Sequence, residues 1–392
     1  MFPRIEFLSD LVPFIEANPQ FRIQEQNNGT TVICYMLQDE DTFKGENEEH
    51  AKECRGITFD TATGQIISRT LHKFENVGQS DRAQPDQIPW DRIVRVMDKR
   101  DGSMITPVLI DGKIVCKTKK TFTSNEAVAA TELLNSDPEK VEWCRRQLEQ
   151  GFTPTFEWTS PRFPIVLTYP KDELTLLQIR HNISGHYVMW QAFLFSDQPD
   201  AGSCPFPIVE NLIDHFSSSG LVMWDYFVHA QLDRTGVEGW IVQTSDGEMW
   251  KVKTKWYCDL HHSVTFTRWR DVARTVLDDK ADDLKAAFAM TGRSIEPIIQ
   301  VERAIHGVLV EMEKTVRMIV ESGAGLDAKG MALRFQGHEF FGQIMSTFRG
   351  KTINYRDLYL KNRIREWGLD VIPTAVSNED VEIITSNESE AV

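Results

Sequence analysis

No stretch of this 392-residue chain is apolar for long enough to span a bilayer as a helix. Met1 to Asn18 shows neither a basic leader nor a small-residue cleavage site. It carries Glu6, Asp10 and Glu16 and is interrupted by Pro13, so no export signal is expected. The six cysteines (Cys34, Cys54, Cys116, Cys144, Cys204 and Cys258) are scattered, and no two form a C-x-x-C pair. That argues against a structural zinc and for reduced thiols in a cytoplasmic compartment. Basic charge is in deficit, with 43 Lys and Arg against 58 Asp and Glu and a net charge of −15. A protein that coats nucleic acid without sequence preference would carry the opposite balance. There is no internal repeat.

What is present is the composition of a soluble globular protein, 41% hydrophobic and 26% charged, and the length predicts about two domains. The charge is unevenly spread. Lysines gather at Lys113, Lys117, Lys119 and Lys120 and again at Lys251, Lys253 and Lys255, whereas acid gathers from Asp39 to Glu49 and in the tail from Glu379 to Glu390. A basic cleft on an acidic body is compatible with this pattern.

The first 260 residues read as strand-rich. A short helix is predicted near the start (Phe7, Leu8, Leu11, Phe14, Ile15), ending near Pro19. Strands are predicted over Thr30–Met36, Cys54–Phe59, Gln65–Arg69, Ile93–Met97, Met104–Ile110, Lys113–Thr121 and Phe152–Trp158. Ile165–Tyr169 pairs with Leu174–Arg180 in this reading, followed by His186–Phe195, Glu238–Val242 and Met249–Lys253. Asp111-Gly112 is a two-residue hairpin signal. Ser124–Gln150 has helical periodicity with Ser124 as N-cap, and Pro205–Ala230 reads as a mixed, helical insertion. After Tyr257 the pattern turns helical: Asp282–Met290, Ile295–Ser322 capped by Ser294, Ala332–Phe348 and Tyr355–Trp367. The predicted domains are 1–260, 261–377 and an acidic, disordered tail 378–392. His261-His262 is not read as a metal pair, because adjacent strand side chains face opposite ways.

Charged residues inside or beside apolar strand runs mark the candidate site, since such charges are costly unless they pair or face a polar pocket. They are Lys99, Glu157, Glu238, Lys251 and Lys253. Lys251 and Lys253 flank Val252 and share one sheet face. Lys99 precedes a turn, Asp101-Gly102, that on its own reads as a surface hairpin between two strand runs, and glycine there lets another group approach the backbone closely. Lysines matched to phosphates and carboxylates matched to a metal or a ribose hydroxyl suit a nucleoside triphosphate with a divalent ion. A lysine amine with a depressed pKa could act as the nucleophile on an α-phosphorus. Nearby Lys251 and Lys253, with partial desolvation, are expected to depress that of Lys99. Glu157 and Glu238 also read as salt-bridge partners of strand lysines, and Asp282 as a favourable charge at a helix start.

The ordered set K-x-D-G (Lys99 to Gly102), F-E (Phe156-Glu157), E-G-x-x-V (Glu238 to Val242) and K-x-K (Lys251 to Lys253) resembles the covalent nucleotidyltransferases, which include ATP-dependent ligases and mRNA capping enzymes. Glu53-Cys54-Arg55-Gly56-Ile57, Lys253-Thr254-Lys255-Trp256-Tyr257, Ala281 to Lys285 and Gly342 to Ser346 resemble the phage single-stranded RNA ligase 1 family in particular. The resemblance runs from about residue 30 to about residue 350. It implies an α+β fold: an N-terminal nucleotidyltransferase domain of antiparallel sheets with flanking helices, then an all-α C-terminal domain. It implies an ATP-dependent RNA ligase using Mg2+ or Mn2+, with Lys99 forming lysyl-AMP and an RNA-adenylate following.

Further roles carry over by resemblance. Tyr35, Arg55, Lys73, Glu238, Lys251 and Lys253 match nucleotide-binding positions, Glu157 and Asp282 metal-associated ones, and Asp101, Gly102, Lys119 and Tyr257 other required ones. Two residues depart from the pattern: Glu75 replaces one aromatic of a pair after Lys73, and Trp240 stands where tyrosine is frequent. The implied partner is single-stranded RNA or tRNA with a broken anticodon loop, joined by a monomer in the cytoplasm, a phage host's if the gene is a phage's, with no membrane involved. Two alternatives stay open: another covalent nucleotidyltransferase (a DNA ligase or GTP-dependent capping enzyme), and a catalytically idle RNA-binding or structural phage protein.

Overall fold

The computed structural model describes residues 2–18, 20–35, 42–45, 47–163, 167–188, 204–214, 223–258, 269–290, 294–351 and 353. Its strands are β1 (Phe21–Glu25), β2 (Thr30–Tyr35), β3 (Arg55–Asp60), β4 (Ile66–Ser68), β5 (Glu75–Asn76), β6 (Ile93–Asp98), β7 (Ser103–Ile110), β8 (Lys113–Lys117), β9 (Phe152–Thr159), β10 (Glu173–His181), β11 (Gly239–Thr244) and β12 (Met249–Lys253). They form three four-stranded sheets ordered β1-β2-β3-β4, β10-β9-β7-β8 and β5-β12-β11-β6. Every pairing is antiparallel except β5 with β12. The α+β architecture expected from the sequence is what forms.

The Asp111-Gly112 hairpin joins β7 to β8 with both residues at positive φ, 49° and 75°. One face of that sheet is covered by the helices Asn125–Asn135 and Pro138–Glu149, which bury Leu134, Trp143 and Cys144 against Ile105, Ile114, Phe156 and Trp158. The Ser124 hydroxyl caps the first helix by accepting from Ala127 N at 3.2 Å. The sequence reading ran these two helices together. Asp137 breaks them: its side chain caps the second, and Pro138 supplies a first-turn residue that needs no N–H partner. A second core packs Phe14 and Ile15 on Ile33, Ile57 and Phe59, and a third packs Trp90, Val96 and Phe227 on Trp240, Val242 and Val252.

Other expectations are corrected. The first helix is two pieces, a 3-10 turn Leu8–Asp10 and a helix Val12–Ala17. The Asp10 carboxylate draws in the backbone N–H groups of Glu6 and Phe7, and Pro13 starts the second piece. The acidic stretch hides a helix, Glu48–Glu53. Leu167–Tyr169 is not a strand: β10, its expected partner, pairs with β9 along one edge and takes bridges from Ile208 and Tyr187 along the other; residues 164–166 lie outside the described set. Of the expected strand from His186, Tyr187 makes one isolated bridge to Arg180, and the rest from 189 lies outside. The insertion contributes a helix Met223–Tyr226 running into a wider turn Phe227–Gln231.

The chain divides into two compact units. One comprises Met1–Met36, Asp41–Val264 and Asp282–Arg293; the other comprises Leu37–Glu40, Thr265–Ala281 and Ser294–Val392. In the second, the helix Glu296–Ser322 buries Ile298, Ile299, Ile305, Leu309, Met312 and Val316 along one stripe. Ile295 takes its N-cap position, and the Ser294 hydroxyl accepts instead from Glu296 N at 3.3 Å. The single helix expected over Ala332–Phe348 is two, Ala328–Phe335 and Phe341–Phe348. Between them the His338 ring accepts the N–H of Phe340, a local bond that competes with helix continuation. The expected helix Tyr355–Trp367, the tail and His261-His262 lie outside the described residues. No described helix is long and apolar enough to cross a membrane.

Candidate active site

Lys99 to Gly102 is not a hairpin. β6 pairs with β11 in one sheet and β7 with β8 and β9 in another, so these four residues carry the chain across the seam between two sheets. The crossing is fastened on both sides. Lys99 N donates to Gly239 O at 2.9 Å, and Gly102 N donates to Glu157 Oε1 at 3.1 Å. A Cβ at residue 102 would collide with the Trp158 carbonyl oxygen, so the turn needs glycine for close approach rather than for dihedral freedom.

The Lys99 ammonium lies 2.6 Å from Glu238 Oε1, and Lys253 reaches the same oxygen at 3.0 Å. Of the two lysines expected beside Lys99, Lys253 is separated from it by this carboxylate, only 3% exposed, which both ammonium groups reach. Lys253 also meets Asp283 Oδ1 at 2.8 Å and the Tyr257 ring at 4.7 Å. Burial opposes its charge, but Asp283 and Glu238 outweigh that and hold it above the ordinary lysine range. The Tyr257 hydroxyl donates to Asp101 Oδ1 at 2.9 Å. Burial pushes the Glu157 carboxyl up to about 7, with Glu238 and Asp101 adding to it against the pull of Lys99.

A second cluster lies along β12 and the start of the helix Ala281–Met290. Asp282 is in an ion pair with Lys73 and is 3.7 Å from Lys285, and its Oδ1 accepts from Gln79 at 2.9 Å. Burial opposes its ionisation, but Lys73, Lys285 and Lys251 hold it well below the ordinary carboxylate range. The residue expected to serve a metal is thus bonded to one expected to serve the nucleotide. Lys251 stands over the Phe74 ring at 5.4 Å, and the Arg55 guanidinium faces the same ring at 5.8 Å. Burial, followed by the Lys73 ammonium, pulls Lys251 down to about 7. Glu75 turns to Arg82 (3.1 Å) and Ser80, leaving Phe74 as the aromatic of that pair in contact with the cations. Trp240 is buried in the core against Phe227.

Tyr35 and Lys119 form a pair of their own, with the Lys119 amine 2.9 Å from the Tyr35 hydroxyl and 4.5 Å from its ring centre. They join the rest through β3: fully buried Lys117 donates to Gly56 O at 2.7 Å, next to Arg55.

Sequence reasoning missed Asp283, although it adjoins Asp282 at a helix start. It also missed Glu53, which sits directly before Cys54-Arg55. Glu53 accepts from Arg69 at 3.0 Å and from Arg180 at 2.6 Å. Burial alone would raise its pKa, but the two guanidiniums draw it down to about 2. This knot fixes the backbone leading to Arg55 and, through Arg180 donating to Thr70 O at 2.7 Å, the approach to Lys73. Its signal was its place at the head of Glu53-Cys54-Arg55-Gly56-Ile57, a motif that gave the glutamate no role of its own.

The donor set fits a divalent cation. Glu238 Oε2 is buried with no hydrogen-bond partner, and Glu157 lies close enough to feel the Glu238 and Lys99 charges. Among the described residues no three His, Cys, Asp or Glu side chains converge as a ready-made cage. A divalent ion bound together with phosphates needs one or two carboxylates, with phosphate and water completing its shell.

A candidate RNA ligase of Thermovibrio ammonificans is 26% identical to this chain over 280 residues, 69% of each protein. RNA ligase 1 of bacteriophage TS2126 is 25% identical over 297 residues, 72% of this chain and 69% of the phage protein. Among solved structures, an archaeal ATP-dependent RNA ligase superposes with a TM-score of 0.47 at 12% identity, covering 88% of this chain and 96% of the other. Residues 53–257, which hold the crossing turn and both strand lysines, match the RNA ligase family. That match spans more than half of the chain, which therefore belongs to the RNA ligase family of phage RNA ligase 1.

Proposed function

We propose that this RNA ligase is ATP-dependent and joins 5′-phosphate and 3′-hydroxyl ends of single-stranded RNA through lysyl-AMP and RNA-adenylate intermediates. The observation that carries the reading is the Lys99 amine held at a sheet seam, 2.6 Å from a carboxylate oxygen that can take its proton. In the first step Lys99 Nζ forms a bond to the α-phosphorus of ATP. The bond from that phosphorus to the bridging oxygen breaks, and pyrophosphate leaves. In the second, an oxygen of the RNA 5′-phosphate attacks the same phosphorus and the amine of Lys99 departs. In the third, a 3′-hydroxyl attacks the activated 5′-phosphorus and AMP leaves.

Lys251 and Lys253 are the α-phosphate contacts in this reading, and Arg55, Lys73, Lys119 and Tyr35 hold the rest of the nucleotide. Glu157 and Glu238 would hold Mg2+ or Mn2+, which when bound supplies Lewis-acid stabilisation of the phosphoryl charge. Asp282 anchors Lys73 until the triphosphate competes for that lysine. The physiological substrate we assign is tRNA broken in its anticodon loop, sealed by a monomer in the cytoplasm of a phage-infected cell; the bacteriophage source of one relative supports the phage setting alone.

Incubation with ATP labelled on the α-phosphate, followed by denaturing electrophoresis, tests the first step. Label on the parent and none on Lys99→Ala is expected. Label from GTP alone, or label on Lys99→Ala, overturns it. Circularisation of a 5′-phosphorylated RNA, with the matching DNA in parallel, tests the substrate class. Faster sealing of nicked tRNA than of an unrelated linear RNA tests the last assignment.

A further inference from the structure

The turn that carries Lys99 is gripped by a stretch for which the reaction so far has no use: Leu167 to Glu173, the connection into β10. Three bonds converge from it, and a fourth from Thr175 in β10. Asp101 N donates to the Tyr169 hydroxyl at 3.1 Å, and Leu167 N donates to Asp101 Oδ2 at 2.6 Å. Arg100 Nη2 donates to Glu173 Oε2 at 3.1 Å and to Thr175 Oγ1 at 3.3 Å. The Arg100 guanidinium also lies over the Tyr169 ring at 5.4 Å. With Lys99 N on Gly239 and Gly102 N on Glu157, the Asp101–Tyr169 bond gives the middle of the crossing a partner from outside the turn.

Geometry explains why a grip is needed. A hairpin turn is held by its own two strands, but β6 and β7 lie in different sheets. The sheets hold only the two ends of the crossing, Lys99 on Gly239 and Gly102 on Glu157, and Tyr257 holds the Asp101 side chain, so the Asp101 peptide between them takes its hold from a further element. Leu167–Tyr169 is also where the sequence pattern suggested a strand. These residues are drawn onto the turn instead.

We propose that Tyr169, supported by the Arg100–Glu173 pair, is a positioning residue that holds the Asp101 peptide and thereby aims Lys99 at the α-phosphorus. This rests on the lysyl-AMP reading. The role belongs to the first two steps, in which the Lys99 nitrogen makes or breaks a bond, and not to the third, in which it does not.

The test is Tyr169→Phe, which keeps the ring under Arg100 and removes only the oxygen. Single-turnover formation of the labelled adduct should slow about tenfold, the effect of roughly 1.4 kcal/mol at the barrier, with the ATP concentration for half-saturation unchanged. Sealing of chemically pre-adenylylated RNA, which bypasses Lys99 chemistry, should proceed at the parent rate. Glu173→Gln should give the same split in weaker form, and Tyr169→His, which keeps a polar ring atom, should recover part of the rate. A parent protein that takes no label from ATP refutes the lysyl-AMP reading itself. A labelled parent with an equally fast Tyr169→Phe refutes the clamp alone, as does an equal loss in both assays, which would mark a merely structural tyrosine.

Discussion

Glu157 keeps its proton into the neutral range because it is buried beside Glu238 and Asp101, which places its pKa at about 7 against 4.5 in water. A carboxyl raised in the folded state contributes stability that is full below 4.5 and lost as the pH rises through 7. Glu157→Gln cannot ionise, so above neutral pH it should melt higher than the parent, by roughly 2–4 °C for each 1 kcal/mol relieved. The same variant should lose cation-supported adduct formation, and the parent's adduct rate should climb as the pH passes about 7. Thermal melts and labelling across a pH series check both. Lys251 behaves in mirror image. Depressed to about 7 from 10.5, it contributes stability present above 10.5 and lost as the pH falls through 7. Lys251→Met should therefore be more stable than the parent in mild acid, while binding ATP more weakly. Titration calorimetry in buffers of different ionisation heat should show the parent taking up a proton when the triphosphate binds, and Lys251→Met taking up less.

At the scale of elements, the start of the helix Ala281–Met290 ties two lysines to the site: Asp282 takes Lys73 and Asp283 takes Lys253. Removing one partner of a buried pair strands the other charge. Asp282→Asn should therefore cost about 3–5 kcal/mol in denaturant unfolding, and Lys73→Met added to it should recover part of that loss. The strand motifs were legible because alternation and turn chemistry are local: Asp111-Gly112 declares its hairpin, and Lys251 and Lys253 fall on one face. Sheet partnership was not legible. Only the tertiary pairing shows that β6 and β7 part company, and so that Lys99 lies on a crossing rather than a hairpin tip. The helix Glu48–Glu53 was lost among acids that read as a loop, although Ala51 and Glu53 are its buried side. The Lys73–Asp282 bond spans 209 positions, a distance over which spacing carries no signal. The members of the site could thus be named one at a time, but who faces whom could not.

At the scale of the molecule, the first compact unit takes Asp282–Arg293 back into itself after the chain has left it. A chain ended after residue 293 keeps the partners of Lys73 and Lys253 and should still label from ATP. One ended at 260, the boundary suggested by composition, lacks them and should label poorly and melt lower. Size-exclusion, melting and labelling of the two truncations decide this. The net charge of −15 adds a second expectation: RNA approaches an acidic body through a local basic face, so sealing should weaken steeply with salt while adduct formation without RNA changes less. The shared oxygen of Glu238 has one more consequence. Before loading, it shelters an ammonium. In the proposed reaction that nitrogen then carries a phosphoryl group, so a positive charge disappears and a negative one arrives beside the same carboxylate. The residue that kept the empty lysine in place loses that partner on loading and keeps Lys253, so the empty and loaded sites differ in how many ammonium groups one oxygen serves.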